Sequence, residues 1–259
     1  MPDIRLDVAL VNMGLAPSRT QAHNLIKQGV VMVNKTPVTK PSRSITDTDV
    51  IEREGPTPYA SRGAGKLQPV LAQAGIDPDG KVCLDAGAST GGFTDVLLRA
   101  GALRVVAVDI GQAQLRAEMA DDDRVTVHDH TNVRFISDGD IGGKVDLTVA
   151  DLSFISLTKV LEALASCTHL HGSLLPMIKP QFEVGKERIG ASGVVTDPDL
   201  RYAAVMDVVE AGKAVGWNTQ WVAASPLPGP SGNVEFFAHM KYGQPDLEPE
   251  AIRAIVDAA

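Results

Sequence analysis

Cysteine is almost missing from this chain: there are two, Cys83 and Cys167, far apart in the sequence. That excludes a disulfide framework and a cysteine-built zinc site, and it fits a reducing compartment. Aromatic residues make up only 4% of the chain, too few for base-stacking platforms to dominate a contact with nucleic acid. No apolar run approaches the roughly eighteen residues of a membrane span, and the opening Met1-Pro2-Asp3-Ile4-Arg5 carries no signal-peptide apolar core. The expected location is therefore cytoplasmic, with no membrane partner. His128 and His130 lie close together but lack further spaced ligands, so no metal is expected.

Acidic residues are missing from one long stretch. Between Asp7 and Asp47 the only charged side chains are Arg19, Lys27, Lys35, Lys40 and Arg43. The net charge of −8 divides accordingly: residues 1–66 carry +3 and residues 67–259 carry −11. A basic front on an acidic body predicts a local anionic partner. The length allows one large core and a small appendage.

The front reads as two short helices and a hairpin. Leu6, Ala9, Leu10 and Met13 give a helical face within Ile4–Met13, closed by Gly14. Ser18 caps a second helix, with Gln21 in the capping-box position and Ala22, Leu25 and Ile26 inward, and Gly29 stops it. Val30–Val33 and Thr36–Val38 flank the turn Asn34-Lys35, and a last strand falls near Val50-Ile51. Glu54-Gly55-Pro56-Thr57-Pro58 is incompatible with helix and marks the boundary. The expected organisation is residues 1–54, a linker at 55–61, and a second domain at 62–259.

In the second domain Pro69 is expected in the first turn of a helix, which puts Lys66 near the helix start, against the helix dipole. From there strands alternate with helices. Strands are predicted near 82–85, 104–109, 125–128, 145–150, 173–178, 219–224 and 234–240. Helices are predicted near 91–100, 112–119, 157–166, 198–214 and 248–258. This is an α/β pattern, a Rossmann-like parallel sheet with helices on both faces.

The first strand ends at Asp85 and runs into Gly87-Ala88-Ser89-Thr90-Gly91-Gly92-Phe93, a small-residue turn before a helix. Such a turn lets a ligand approach bare backbone. The second strand ends at Asp109, where an acid can accept ribose hydroxyls. Neither the dinucleotide pattern G-x-G-x-x-G nor a P-loop is present. An acid leading the turn suits a cofactor with a cationic amino acid moiety, so S-adenosyl-L-methionine is the expected cofactor. Asp129 or Asn132 is expected to touch the base.

Ligands of such sheets bind at the carboxyl ends of the strands. Asp151 and Lys179 follow predicted strands, Glu235 lies on or beside a late one, and Lys66 opens a helix. Two lysines and two carboxylates suit transfer to a ribose 2′-hydroxyl, a poor nucleophile that needs a base. A lysine serves as that base only if its pKa falls, and a second lysine with partial burial is expected to lower it. Asp151-Leu152-Ser153-Phe154 is not the Asn/Asp-Pro-Pro-aromatic motif of amino-group methyltransferases, and neither cysteine is placed as a carbon-5 nucleophile.

Arg5-Leu6-Asp7-Val8, Ser18–Ala22, Ile26–Gly29 and Val31–Asn34 resemble the S4 RNA-binding domain. That resemblance implies phosphate contacts by Arg5, Arg19, Lys27, Lys35 and Lys40. Ser61–Leu67, Leu84–Thr94, Ala150–Ser156, Ile178–Gly185 and Ser225–Glu235 resemble the TlyA family, also known as haemolysin A, which joins an S4 domain to an FtsJ-like ribose 2′-O-methyltransferase domain. The resemblance implies that Lys66, Asp151, Lys179 and Glu235 form the FtsJ-type tetrad, with Arg62 among the RNA contacts. It further implies cytidine 2′-O-methylation in ribosomal RNA of both subunits, for which a monomer suffices. One departure is Gly111-Gln112-Ala113-Gln114, where the family more often has an aromatic before the glutamine. Two rival readings are a membrane-damaging protein and a catalytically silent RNA-binding assembly factor.

Overall fold

The computed structural model describes residues 4–259 except Pro17, residues 55–58, Ala113 and residues 190–191. The chain divides into two compact units, Met1–Ser61 and Arg62–Ala259. The expected proline spacer at 55–58 lies outside the described residues.

The first unit runs β1 (Ile4–Arg5), α1 (Leu6–Asn12), α2 (Arg19–Lys27), β2 (Val31–Val33), β3 (Thr36–Pro37), β4 (Ser44–Ile45) and β5 (Ile51–Arg53). Ser18 Oγ accepts from the Gln21 N–H at 3.3 Å, satisfying an otherwise free donor at the start of α2. The hairpin turns at Asn34 and Lys35, both at positive φ (54° and 65°), as a two-residue turn matched to strand twist requires. The Asn34 side chain donates to Asp49 and accepts from the Val50 N–H, which ties the turn to the approach to β5. The opening helix is shorter than expected, because Ile4 and Arg5 pair with Ile45 and Ser44 as strands. Leu6, Leu10, Ala22, Ile26, Val31 and Val33 close the core.

Two of the expected phosphate contacts are already engaged. Buried Asp7 draws Arg5 to 2.8 Å and Arg19 to 3.4 Å. The Arg5 hydrogen bond holds the Asp7 carboxyl below the usual range. Both arginine side chains remain about half exposed or more, and Lys27, Lys35 and Lys40 are exposed.

The second unit contains α3 (Ala64–Gln73), β6 (Val82–Ala86), α4 (Gly92–Arg99), β7 (Arg104–Val108), α5 (Ala117–Ala120), β8 (Val125–His128), β9 (Val145–Ala150), α6 (Leu161–Cys167), β10 (Thr168–Ile178), α7 (Pro180–Glu183), α8 (Pro198–Ala214), β11 (Trp217–Ala224), β12 (Phe236–Tyr242) and α9 (Pro249–Asp257). Seven strands form one sheet in the order β11-β12-β10-β9-β6-β7-β8. Alternate residues such as Leu84, Val106, Leu174 and Phe236 pack with Leu161, Val205 and Ile252 of α6, α8 and α9. The intervening Cys83, Val105, Leu147 and Met177 are also buried, so they belong to the opposite face, and both faces of the sheet are covered.

The parallel sheet expected from the alternation holds up to β10, and β12 departs from it. It runs antiparallel to both β10 and β11. Residues 225–235, which join β11 to β12, hold three prolines and two glycines and cannot form the helix a parallel crossover needs. The helix expected at 112–119 is only Ala117–Ala120. Pro69 lies in the second turn of α3, not the first, so that helix does without one internal hydrogen bond. Both cysteines are buried, and burial pushes the Cys83 thiol up to about 12.

Candidate active site

From β6 the chain runs outward through β7 to β8, then returns to β9 on the other side of β6. Crossovers leaving in opposite directions open a crevice at the carboxyl ends of β6 and β9. A cleft of about 570 Å³ lies there, with Gly87, Ser89, Asp109, Gln114, Asn132 and Asp151 among its walls. Gly87 has φ +88°, and a Cβ on it would come within 2.7 Å of the Asp151 carbonyl oxygen. Only glycine allows β6 and the end of β9 to approach this closely.

Asp109 Oδ2 accepts from the Ser89 N–H at 2.8 Å and Oδ1 from the Gly111 N–H at 2.7 Å, so it braces the glycine turn while facing the cleft. Each oxygen retains a second lone pair for a ligand. Asn132 lines the cleft and caps the turn Val133–Phe135 through the Arg134 N–H.

The other expected cofactor residues do not line this cleft. Ala88, Thr90, Gly91 and Gly92 shape the turn, Asp129 is half-buried outside the cleft wall, and Phe93 is a core residue stacked on Phe237 at 6.1 Å. Asp85 is fully buried beneath the turn. Its Oδ2 accepts from Thr94 Oγ1 at 2.7 Å, and its Oδ1 has no partner. Burial, reinforced by the charge of Asp151, pushes its carboxyl up to about 7.

The register brings the four expected site residues to neighbouring positions. Pro176 of β10 pairs with Ala150 of β9, and Ile178 pairs with Phe236 of β12. Asp151, Lys179 and Glu235 therefore stand just past the adjoining ends of three consecutive strands, and Lys66 reaches Glu235 from the first turn of α3. They meet as two ion pairs. Lys66 Nζ lies 2.5 Å from Glu235 Oε2, with side chains 6% and 1% exposed. Gln181 Nε2 donates to Glu235 Oε1 at 3.4 Å. Lys179 Nζ lies 2.6 Å from Asp151 Oδ1 and donates to Ser153 Oγ at 2.9 Å. Each lysine thus has a carboxylate, not the other lysine, in direct contact. Asp151 belongs to both the second pair and the cleft wall.

Several cleft residues were missed in the sequence: Ile110, Thr131, Ser153, Phe154 and Ile155. Phe154 is 92% exposed at φ +64° and contacts Phe182 at 5.1 Å. The strand-end rule that singled out Asp151 extends naturally to the three residues after it. Glu183 fixes this loop by accepting from Ser156 Oγ at 2.5 Å and the Leu157 N–H at 2.9 Å, and burial pushes its carboxyl up. Arg62, exposed, donates to the Pro228 carbonyl.

The FtsJ-like methyltransferase family model matches residues 59–242, and the S4 domain model matches residues 4–51. The 16S/23S rRNA (cytidine-2′-O)-methyltransferase TlyA of Mycobacterium tuberculosis is 48% identical over 92% of this chain and 89% of its own length. The chain belongs to the TlyA family of FtsJ-like methyltransferases. Hemolysin A of Brachyspira hyodysenteriae is 35% identical over 91% of this chain and 99% of its own. A solved structure of a hemolysin-named Streptococcus thermophilus protein is 35% identical with a TM-score of 0.75, covering 100% of this chain and 96% of that one. The FtsJ-like match contains Lys66, Asp151, Lys179 and Glu235, and ends with β12. No helix among the described residues is long and apolar enough to cross a membrane, and no cluster of acids, histidines and cysteines among them is arranged to hold a metal.

Proposed function

We propose that this methyltransferase uses S-adenosyl-L-methionine to methylate the ribose 2′-hydroxyl of cytidine in 16S and 23S ribosomal RNA, in the cytoplasm. The observation that carries the reading is the double membership of Asp151, in the cleft at the switch point and in the ion pair with Lys179. The cofactor fits on three counts. Asp85 Oδ1, buried without a partner two residues before Gly87, wants a cationic donor such as an amino acid ammonium. Asp109 offers carboxylate lone pairs to a ribose, and Gly87 adds no side chain to the cleft wall. When bound, the cofactor supplies an electrophilic methyl on a sulfonium.

Lys179 Nζ, in its neutral form, would take the proton that the 2′-oxygen gives up as it accepts the methyl. Asp151 then balances the ammonium charge. Lys66 and Glu235, held together and shielded, fix the β12 side of the site so that the hydroxyl meets its acceptor in line. The exposed basic residues of the first unit hold RNA by its phosphates, which positions it without reading its sequence.

The test is transfer of tritiated methyl from the cofactor to intact ribosomal subunits and to naked ribosomal RNA, followed by digestion to nucleosides. Label in 2′-O-methylcytidine is expected. Label on a base, or none, contradicts the reading. The hemolysin names of some relatives lead to a separate assay, leakage of liposomes, in which no release is expected.

A further inference from the structure

Lys179 Nζ lies over the Phe182 ring, 5.9 Å from its centroid, and two polar groups of unlike character hold it. Asp151 Oδ1 is 2.6 Å from Nζ, but the approach is too bent for a directed hydrogen bond, so what it supplies is charge. Ser153 Oγ, at 2.9 Å, accepts the directed bond. Ser153 is exposed in the cleft wall, two residues beyond Asp151. Its loop is pinned from the far side, where Glu183 grips Ser156 and Leu157. The hydroxyl therefore stands on a braced segment at the open side of the amine.

A lysine that accepts a proton must first be without one. In that form its contact with Asp151 loses its charge–charge part, which is the larger share of a bent contact. A hydrogen bond from N–H to a hydroxyl oxygen survives the loss of charge. A neutral amine has two N–H bonds and one lone pair, so anchoring one N–H leaves the lone pair only rotation about that axis. On the reading that Lys179 deprotonates a ribose 2′-hydroxyl, we propose that Ser153 is a positioning residue: its hydroxyl holds the proton-free Lys179 amine with the lone pair turned into the cleft. Ser153 gives and takes no proton in this role.

Single-turnover methyl transfer to ribosomal RNA at saturating cofactor, followed from about pH 6 to pH 10, tests this in Ser153→Ala and Ser153→Thr. In Ser153→Ala the plateau rate at high pH is expected to fall about tenfold to a hundredfold. The pH of half-maximal rate is expected to move downward, because the lost acceptor favoured the ammonium form. Ser153→Thr, which keeps the hydroxyl, is expected to restore both, and calorimetry is expected to give unchanged cofactor affinity throughout. A wild-type plateau with an unmoved profile in Ser153→Ala overturns the proposal. So does a plateau that Ser153→Thr fails to restore although it binds cofactor as the wild type does. Failure of the underlying reading shows differently: wild-type protein itself then leaves ribose unmethylated, and the proposal falls with it.

Discussion

The two lysine–carboxylate pairs look alike in composition and differ in what surrounds them. Lys66 and Glu235 are closed off, with side chains 6% and 1% exposed, and Gln181 occupies the second carboxylate oxygen. Lys179 and Asp151 are 9% and 23% exposed, and Asp151 and Ser153 open onto the cleft. A shielded pair is strong against disturbance but has no route for a proton to enter or leave. A pair at a cleft wall is looser and can exchange protons with a ligand. On the proposed function, that difference suggests roles that residue type alone does not: a strut for the Lys66 pair and the reacting part for the Lys179 pair.

The largest expected effect comes from breaking the open pair. Lys179→Arg keeps a positive charge beside Asp151 but cannot deprotonate at working pH. Transfer is expected to fall by about 10²- to 10⁴-fold, while calorimetry finds the cofactor bound as in the wild type. The closed pair breaks in another currency. Glu235→Ala leaves Lys66 buried without a partner, and thermal or denaturant unfolding is expected to report a loss of about 3–5 kcal/mol. Lys66→Met combined with Glu235→Leu is expected to regain most of that stability and none of the activity. A double variant that transfers methyl normally removes the strut from the mechanism.

Asp85 sharpens the contrast, being a buried carboxylate with no cation at all. Its carboxyl lies at about 7, raised from the ordinary range by burial first and then by the charge of Asp151. The folded state therefore holds a proton that the unfolded state has released between about pH 4 and pH 7. Stability without cofactor is expected to fall as pH rises through that window, by up to about 4 kcal/mol, and to level off above it. Asp85→Asn is expected to abolish this slope, and a pH–denaturation series on both proteins measures it. An unchanged slope in the variant assigns the effect elsewhere.

The smallest effect concerns charges that face solvent alone. Lys27→Glu and Lys35→Glu are expected to weaken RNA binding by about tenfold each at moderate salt, with a shallower salt dependence. Cofactor affinity is expected to stay as it was. Equal losses from Arg5→Ala would show that the Asp7-bound arginines contribute as much as the exposed lysines.

Much of this was legible in the residues themselves. Strand-end positions singled out Asp151 and Lys179, because a doubly wound sheet puts the carboxyl ends of its strands at one rim, while Glu235, just before β12, reaches that rim because the strand is reversed. Helix-start logic singled out Lys66, whose charge opposes the helix dipole and is answered by Glu235. Less was legible about orientation. It was not legible that Asp85 turns inward while Asp109 turns to the cleft: Asp85 lies within β6, opposite Ala107, whereas Asp109 stands one residue beyond β7. The reversed β12 was readable in the prolines of residues 225–235, although strand alternation alone concealed it. Ser153 and Phe154 were passed over because their importance depends on one backbone turn, with Phe154 at positive φ, that composition does not reveal.

The most direct measurement sets the two lysines against each other: single-turnover methyl transfer to ribosomal RNA across pH by Lys66→Arg and by Lys179→Arg. Lys66→Arg is expected to be slower yet still active, with a rate that rises with pH, and Lys179→Arg to stay about 10²- to 10⁴-fold below wild type with no rise with pH. Normal pH-dependent transfer by Lys179→Arg, with Lys66→Arg silent, would reverse the roles assigned to the two pairs.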